Sequence, residues 1–445
     1  MLFSTDKQTI NDLGIFGRPG TGSIYGLFNQ TSTRIGATIL EEMFQYPLSG
    51  MEQISRRSNI FKYFAVKRVK FPFRPAVFDT AEQWLADTDE RTILGPEDKS
   101  HGKKLMTLVA RDTKFNSIQD GVMAIIEIAH AAQSFINSLG ADVDVAFQQE
   151  TKEIMGLLSE APFENLLLQR PDHKPGYQAT SDYDVMLRFR HHEKTKKLLR
   201  YCYHLDVYIT VARVANDIGF SFPKVLPSTE NVLKLEGVYH PLVPNAVSNN
   251  FGMTVDNNMV FLTGANMAGK STFMKTVGLA VFLAHMGFPV PAKQMEFSVL
   301  DGIYTSINLP DNLGMGVSHF YAEVLRVKKV AKELQLAKKL FVMFDELFRG
   351  TNVKDAYEAT IAIVDAFAQN RNSQFIVSTH IIEAGEVLRE RFSNISFLYL
   401  PTKMDGLTPV YTYQIAQGIT SDRHGMVIIN NEGILDILNG TLQIA

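Results

Sequence analysis

Residues 257–275 read NNMVFLTGANMAGKSTFMK, and the reading of this stretch decides the fold. MVFLT at 259–263 is a short apolar run that predicts a buried strand, and FMKTVGLAVFLAHMG at 273–287 predicts a helix. Between them, GANMAGKST at 264–272 fits the G-x-x-x-x-G-K-[ST] phosphate loop in the strand–loop–helix context that the motif requires. Gly264 and Gly269 permit a backbone that turns successive N–H groups toward phosphate oxygens, and the helix start directs its amide end at the same anion. Lys270 supplies positive charge to the β- and γ-phosphates of ATP, and the Ser271 hydroxyl is a ligand for Mg2+. The nucleotide-binding set is Gly264, Ala265, Asn266, Met267, Ala268, Gly269, Lys270, Ser271 and Thr272.

Working outward, KLFVMFDE at 339–346 is a second apolar strand that delivers two acids to a sheet edge. Asp345 there holds magnesium directly or through water, and Glu346 is placed to orient or deprotonate an attacking water. A third strand, QFIVSTH at 374–380, ends in His380, which either senses the γ-phosphate and orients water or is a structural histidine. In DNLGMGVSHFYAEVLRVKKV at 311–330, Ser318 caps a helix beginning near His319, and Gly314 and Gly316 permit an irregular approach. Such a terminus is a phosphate binder or a plain surface cap. Together with NVLKLEGVYHPL at 231–242 as a further strand, and 395–418 as two strands joined by a turn at Asp405 and Gly406, these segments alternate buried strands with helices. The pattern predicts an α/β sheet with helices packed against it over 229–445.

Residues 1–228 read differently. Helical spacing runs over 33–44 and 51–66, twice more between 112 and 160 on either side of a turn at 139–142, and again from about 183 to 217. RPDHKPGYQATS at 170–181 reads as a loop and SFPKVLPS at 221–228 as a linker. A chain of 445 residues is long for one core, so two or three domains are expected. The net charge of −3 gives no global case for nucleic acid. The single cysteine, Cys202, rules out an intramolecular disulfide and suits a reducing cytosol. The N-terminus shows no signal-peptide pattern and no segment reads as membrane-spanning, so a cytoplasmic location and no membrane partner are expected.

The ordered set GANMAGKSTFMK at 264–275, PAKQMEFSVLDGIYTSI at 291–307, DNLGMGVSHFYAE at 311–323, FDELFRGT at 344–351 and STH at 378–380 resembles the MutS family of DNA mismatch-repair ATPases, a branch of the ABC-type ATPases. The likeness continues more weakly upstream, in 22–48, 54–64 and 205–225. It implies an α/β P-loop NTPase of ABC-type architecture preceded by an all-α core and lever domain. It also implies a Mg2+-dependent ATPase acting as a homodimer with composite ATP sites. In that arrangement Ser318 acts in trans on the partner's γ-phosphate, Glu323 lies on the same helix, and Asp355 belongs with the 349–351 loop at the interface. His380 corresponds to the family's switch histidine, so the catalytic set is Glu346, His380, Lys270 and Ser318, with Ser271 and Asp345 at the metal.

The sequence departs from the pattern in several places. It carries no Phe-x-Glu mismatch-reading motif ahead of the core-like region, and its helical half is short for full levers plus a DNA clamp. A short, divergent member is therefore expected. Ala265 and Ala268 stand where the family has proline and glycine, His319 stands for threonine, and His424 stands where tyrosine is usual. An aromatic partner for the base is not evident. Two basic clusters are candidate contacts for DNA phosphates: Lys67, Arg68, Lys70 and Arg74 with Phe71 and Phe73, and Arg188, Arg190, Lys194, Lys196, Lys197 and Arg200. The second is alternatively a solvated helix face. The expected function is an ATP-dependent conformational switch that hydrolyses ATP, DNA-associated and related to mismatch repair. The alternative is a nucleotide-gated scaffold for a protein partner, without DNA recognition.

Overall fold

The computed structural model describes residues 3–17, 22–95, 105–140, 144–307, 319–406, 408–420, 429 and 433–438. The chain divides into two compact units: a helical unit, Phe28–Glu42 with Asn59–Val214, and a nucleotide unit, Met1–Leu27 with Met43–Ser58 and Ala215–Ala445. The expected fold class is the one observed, an α-helical N-terminal region followed by the strands and helices of a P-loop ATPase core.

The N-terminal helices are α1 (Lys7–Asp12), α2 (Ile24–Phe28), α3 (Arg34–Gln45), α4 (Met51–Lys67), α5 (Pro75–Leu85), α6 (Leu105–Leu139), α7 (Val145–Leu158), α8 (Phe163–Leu166), α9 (Tyr177–Asp184) and α10 (His192–Ile218). Two expectations are corrected here. The supposed loop 170–181 turns helical at Tyr177, and the run expected from 183 is broken by a π-helical turn, Val185–Arg190, before α10 starts.

Within the helical unit, α5 begins at Pro75, whose missing N–H costs nothing in a first turn, and buries Val77, Phe78, Ala81, Trp84 and Leu85. Trp84 lies directly over Gly121 of α6, where a Cβ would come within 2.2 Å of the indole. Glycine is thus the residue that lets the two helices close. The indole N–H donates to Asp184 at 2.9 Å, and Asp184 also takes both arms of the Arg188 guanidinium at 2.8 and 2.7 Å. Arg188 is 2% exposed and donates further to the Asp87 carbonyl and the Thr92 hydroxyl. It is therefore a buried structural cation, and the expectation that it contacts DNA is corrected. Residues 112–139 of α6, which the sequence reading did not single out, are long and apolar enough to cross a membrane by length and composition alone. Of their most apolar stretch 56% is buried, against α5, α7 and α9 among others, as in a core helix.

The nucleotide unit contributes β1 (Lys224–Leu226), β2 (Leu233–Val238), β3 (Asn249–Met253), β4 (Met259–Gly264), α11 (Lys270–His285), β5 (Gln294–Ser298), β6 (Gly302–Ser306), α12 (His319–Gln335), β7 (Leu340–Phe344), α13 (Val353–Ala368), β8 (Gln374–Ser378), α14 (Ile382–Arg391), β9 (Ile395–Leu400), β10 (Thr402–Asp405), β11 (Thr408–Tyr411), β12 (Ala416–Gln417) and α15 (Ile434–Leu438). Its main sheet has the order β12-β9-β4-β8-β7-β6, all parallel except β12. A second sheet, β1-β5-β2-β3, and a β10-β11 ribbon complete it. The linker expected at 221–228 is thus partly a strand, since β1 pairs with β5. The two strands expected in 395–418 are four: β9 enters the main sheet, β10 and β11 make the ribbon, and β12 closes the sheet's edge. Strands β4, β6, β7 and β8 are buried at every residue, which is why they read as continuous apolar runs without alternation.

His285, at the end of α11, is fully buried and uses both ring nitrogens: Nδ1–H donates to the Val281 carbonyl at 2.8 Å and Nε2 accepts the Leu300 N–H at 3.0 Å. Phe3 and Phe297 pack on the ring at 4.5 and 5.0 Å. Burial pulls its pKa from 6.5 down to about 4, so the folded protein holds it neutral while the unfolded chain protonates it. Between those values the unfolded state binds more protons, and stability falls as pH falls. Lowering pH from 7 to 5 is expected to cost about 2 kcal/mol through this residue. Urea unfolding at the two pH values should show His285→Gln losing clearly less than the unaltered protein; equal losses would refute the assignment.

Candidate functional site

The phosphate loop leaves β4 at Gly264 (φ +147°) and enters α11 through Gly269 (φ +100°), both in backbone conformations that L side chains rarely adopt. Met267, at φ +68°, takes the left-handed conformation without being glycine and stands 76% exposed at the loop's crest. Ala268 is buried beneath it, and Ala265, Asn266 and Thr272 border the cavity above. Lys270 is 5% exposed, and its ammonium donates to the Gly264 and Ala265 carbonyls at 2.8 and 3.1 Å. Burial lowers its pKa, while the nearby carboxylates of Asp345 and Glu346 act in the opposite sense. The lysine is thus held inside the loop on two neutral acceptors, beside acids and within reach of a ligand's negative charge.

Parallel register brings the remaining residues to it. Leu262 of β4 lies opposite Ser378 of β8, and Val377 lies opposite Phe344 of β7, so the chain leaves all three strands at one level. Asp345, next after β7, accepts from the Ser271 hydroxyl and from the Ser378 hydroxyl, the latter at 2.5 Å. A serine hydroxyl beside a carboxylate is a hard-oxygen donor pair that fits Mg2+, which completes its shell with water and phosphate oxygens rather than a protein cage. Among the described residues no group of three or more His, Cys, Asp or Glu side chains is placed to hold a metal ion.

Glu346 sits at φ +52°, and its carboxylate is held from two sides, by His380 Nε2 at 2.9 Å and by Arg349 Nη1 at 2.6 Å. The His380 hydrogen bond chiefly, and Arg349 with it, outweigh burial and pull the Glu346 pKa down to about 2. Glu346 is therefore ionised throughout the neutral range. Ser318, with Gly314 and Gly316, and His424 near the C-terminus lie outside the described residues. The helix α12 that follows Ser318 is described, and its Phe320 ring packs 5.7 Å from Phe348 in the Glu346 loop.

The sequence reading missed one wall of the site. A cavity of about 520 Å3 is bounded on one side by the phosphate loop and on the other by His240, Val243, Val247, Asn249 and Tyr413. Tyr413 is left-handed at φ +54° and is held so by Asn249, whose amide donates to the Tyr413 carbonyl at 3.0 Å while its oxygen accepts the Ile415 N–H at 2.8 Å. A Cβ on Gly269 would meet the Tyr413 ring at 3.0 Å. An aromatic ring on the cavity, not evident in the sequence, is thus present 143 residues after Lys270 in the numbering, past β9 and the β10-β11 ribbon. No local pattern around Tyr413 could have announced it.

Residues 260–439 match the family model for MutS domain V. Among curated proteins, the DNA mismatch repair protein MutS of Fusobacterium nucleatum subsp. nucleatum is 29% identical over 261 residues, 57% of this chain and 29% of that protein. The protein of the same name from Anaplasma phagocytophilum is 31% identical over 242 residues, 54% of this chain and 28% of its own length. That from Thermotoga petrophila is 30% identical over 260 residues, covering 57% and 32%. The match thus spans less than a third of each relative.

Gly269→Ala should lower affinity for a fluorescent ATP analogue at least tenfold, because the alanine is strained at this φ and crowds Tyr413. Titration of the folded variant checks it, and an unchanged affinity would separate the cavity from nucleotide binding.

Proposed function

We propose that this chain, which carries a MutS-family ATPase domain, is an ATP-driven conformational switch that hydrolyses ATP with Mg2+. The observation that supports this most directly is the convergence of Lys270, Ser271, Asp345, Glu346 and His380 at the common end of β4, β7 and β8. In this reading Lys270 transfers its hydrogen bonds from the Gly264 and Ala265 carbonyls to the β- and γ-phosphates, and the base rests between Tyr413 and Val243. Ser271 and Asp345 hold Mg2+, which neutralises phosphate charge when bound. Glu346 takes the proton of a water whose oxygen attacks the γ-phosphorus, the bond to the bridging oxygen breaks, and ADP leaves carrying that oxygen. His380 keeps the Glu346 carboxylate oriented. Ser318 acts from a second copy of the chain on the γ-phosphate, so that ATP draws two copies together and hydrolysis lets them part. Two such sites in one dimer make the coupling between them a free energy that either nucleotide can change.

DNA is the partner we propose for the switch, through the exposed cations Arg190, Lys196 and Arg200 and the exposed Lys67 and Lys70, all of the helical unit. A protein-only scaffold is favoured by a specific observation: much of the basic set is already engaged. Arg188 is buried on Asp184, Arg74 pairs with Glu127, Lys194 pairs with Glu160, and Phe73 is buried rather than available for stacking.

ATP turnover by the purified protein, with and without duplex, branched and mismatched DNA, tests both readings. Turnover abolished by Glu346→Gln and stimulated by DNA is the expected result; turnover indifferent to every DNA form would leave the ATPase and replace DNA with a protein partner. Charge reversal at Lys196 and Arg200 should weaken DNA binding and flatten its salt dependence. The same change at Arg188 should instead destabilise the fold, since it leaves Asp184 buried and unpaired.

A further inference from the structure

Residues 4–13 form a strap along β6, the edge strand of the main sheet. Ser4 joins the edge as one more parallel residue: its N–H donates to the Asp301 carbonyl at 2.7 Å and its carbonyl accepts from Ile303 at 2.9 Å. Gly302 is required there, since a Cβ would come within 2.4 Å of the Ser4 carbonyl. Asp12, 3% exposed, accepts from the Thr305 hydroxyl at 2.7 Å and from the Ile307 N–H at 2.9 Å, where the chain leaves β6.

The strap also grips α12. Asp6 caps α1 by accepting the Thr9 N–H at 3.0 Å, and the same carboxylate receives Arg326 and Lys329 from α12, Arg326 Nη2 at 3.1 Å and Lys329 Nζ at 2.5 Å. Arg326 is 8% exposed and bridges strap and sheet, donating to the Thr305 carbonyl at 2.6 and 3.1 Å and to the Thr9 hydroxyl at 3.2 Å. Two turns earlier on α12, Phe320 packs on Phe348. Phe348 is 3% exposed and left-handed at φ +64°, two residues after Glu346 at φ +52°. Two non-glycine residues in that conformation persist only where the surroundings hold them. The amide bonds of 345–349 are Asp345 N–H to the Ser306 carbonyl at 2.9 Å, Glu346 N–H to the Ser378 hydroxyl at 3.5 Å, Leu347 N–H to the Ser378 carbonyl at 3.3 Å and Arg349 N–H to the Glu346 carbonyl at 3.2 Å, so past Asp345 the backbone is held only by long bonds. The Phe320–Phe348 contact is the packing that ties this loop to α12.

We propose that Asp6 is a positioning residue for Glu346: by pinning Arg326 and Lys329 it seats α12, and α12 in turn holds the Glu346 loop through Phe320 and Phe348. The N-terminal strap is then part of the hydrolytic apparatus, although none of its residues lines the cavity at the phosphate loop. The inference rests on the ATPase reading for its effect on turnover, but its structural content can be tested without it. Breaking a mostly buried ion pair leaves a cation without its partner, so the seat should loosen rather than rearrange into an equivalent one.

Hydrogen exchange read by mass spectrometry on the full chain, comparing the unaltered protein with Asp6→Asn and Asp6→Glu, is the primary test. Asp6→Asn should speed exchange in 319–335 and in 345–351 at least fivefold while leaving β8 and α13 at their original rates, and Asp6→Glu should restore most of the protection. ATP turnover should fall about tenfold in Asp6→Asn with KM for ATP within twofold, because the phosphate loop in cis is untouched. Unchanged exchange in 345–351, or faster exchange throughout the nucleotide unit, would overturn the proposal. An unaltered protein that does not hydrolyse ATP would sink the ATPase reading alone, because the exchange result decides the strap's role independently.

Discussion

The register of three parallel strands is the constraint on which the site depends. β4, β8 and β7 are buried at every residue and are locked so that Leu262 faces Ser378 and Val377 faces Phe344. Because a one-residue slip would reverse every side chain, the fully packed faces specify that register strongly. Its consequence is that the phosphate loop, Asp345 and His380 all begin at the same level of the sheet. The Asp345 carboxylate then lies between two hydroxyls, Ser271 from the helix after β4 and Ser378 from the end of β8, and joins the three strand ends with two charge-assisted hydrogen bonds.

Strain gathers where the register delivers function. Of the eight non-glycine residues with positive φ among the described residues, five, Asn245, Met267, Glu346, Phe348 and Tyr413, border the cavity or the loop that carries Glu346. Each such residue costs roughly 1 kcal/mol or more, so it is retained only where neighbouring contacts offset it. The contacts are identifiable: Asn249 brackets Tyr413 by two hydrogen bonds, and Phe320 with the surrounding core holds Phe348. Glu346 is held at its side chain, by His380 and Arg349, more than at its backbone.

What the sequence disclosed follows from how local each signal is. The phosphate loop, the two strands that end at Phe344 and Ser378, and α11 were legible because each is written in or beside a continuous apolar run with the candidate site residues at one end. Tyr413, Asn249, Asp6 and the β1 strand were not, because each acquires its role from a partner 70 or more residues away, as in Lys224 opposite Glu296. The basic cluster at 187–200 was misread in part for the same reason. Arg188 looks like its neighbours in sequence, yet a π-helical turn directs it inward to Asp184, whereas Arg190 two residues on remains exposed.

Lys270 has its donors satisfied by the protein, but its charge is met only through space. A buried ammonium without a counter-charge is costly, and burial duly lowers its pKa. Two carbonyls satisfy its donors without neutralising it, and Asp345 and Glu346 favour the charged form only through space. A triphosphate offers what these partners do not, a full negative charge at hydrogen-bond distance in a partly desolvated cavity. A bound triphosphate would therefore complete an interaction that the protein groups around Lys270 make only in part. Ser271 and Asp345 are hydrogen-bonded to each other, so the helix after the phosphate loop and the end of β7 are joined by protein contacts alone.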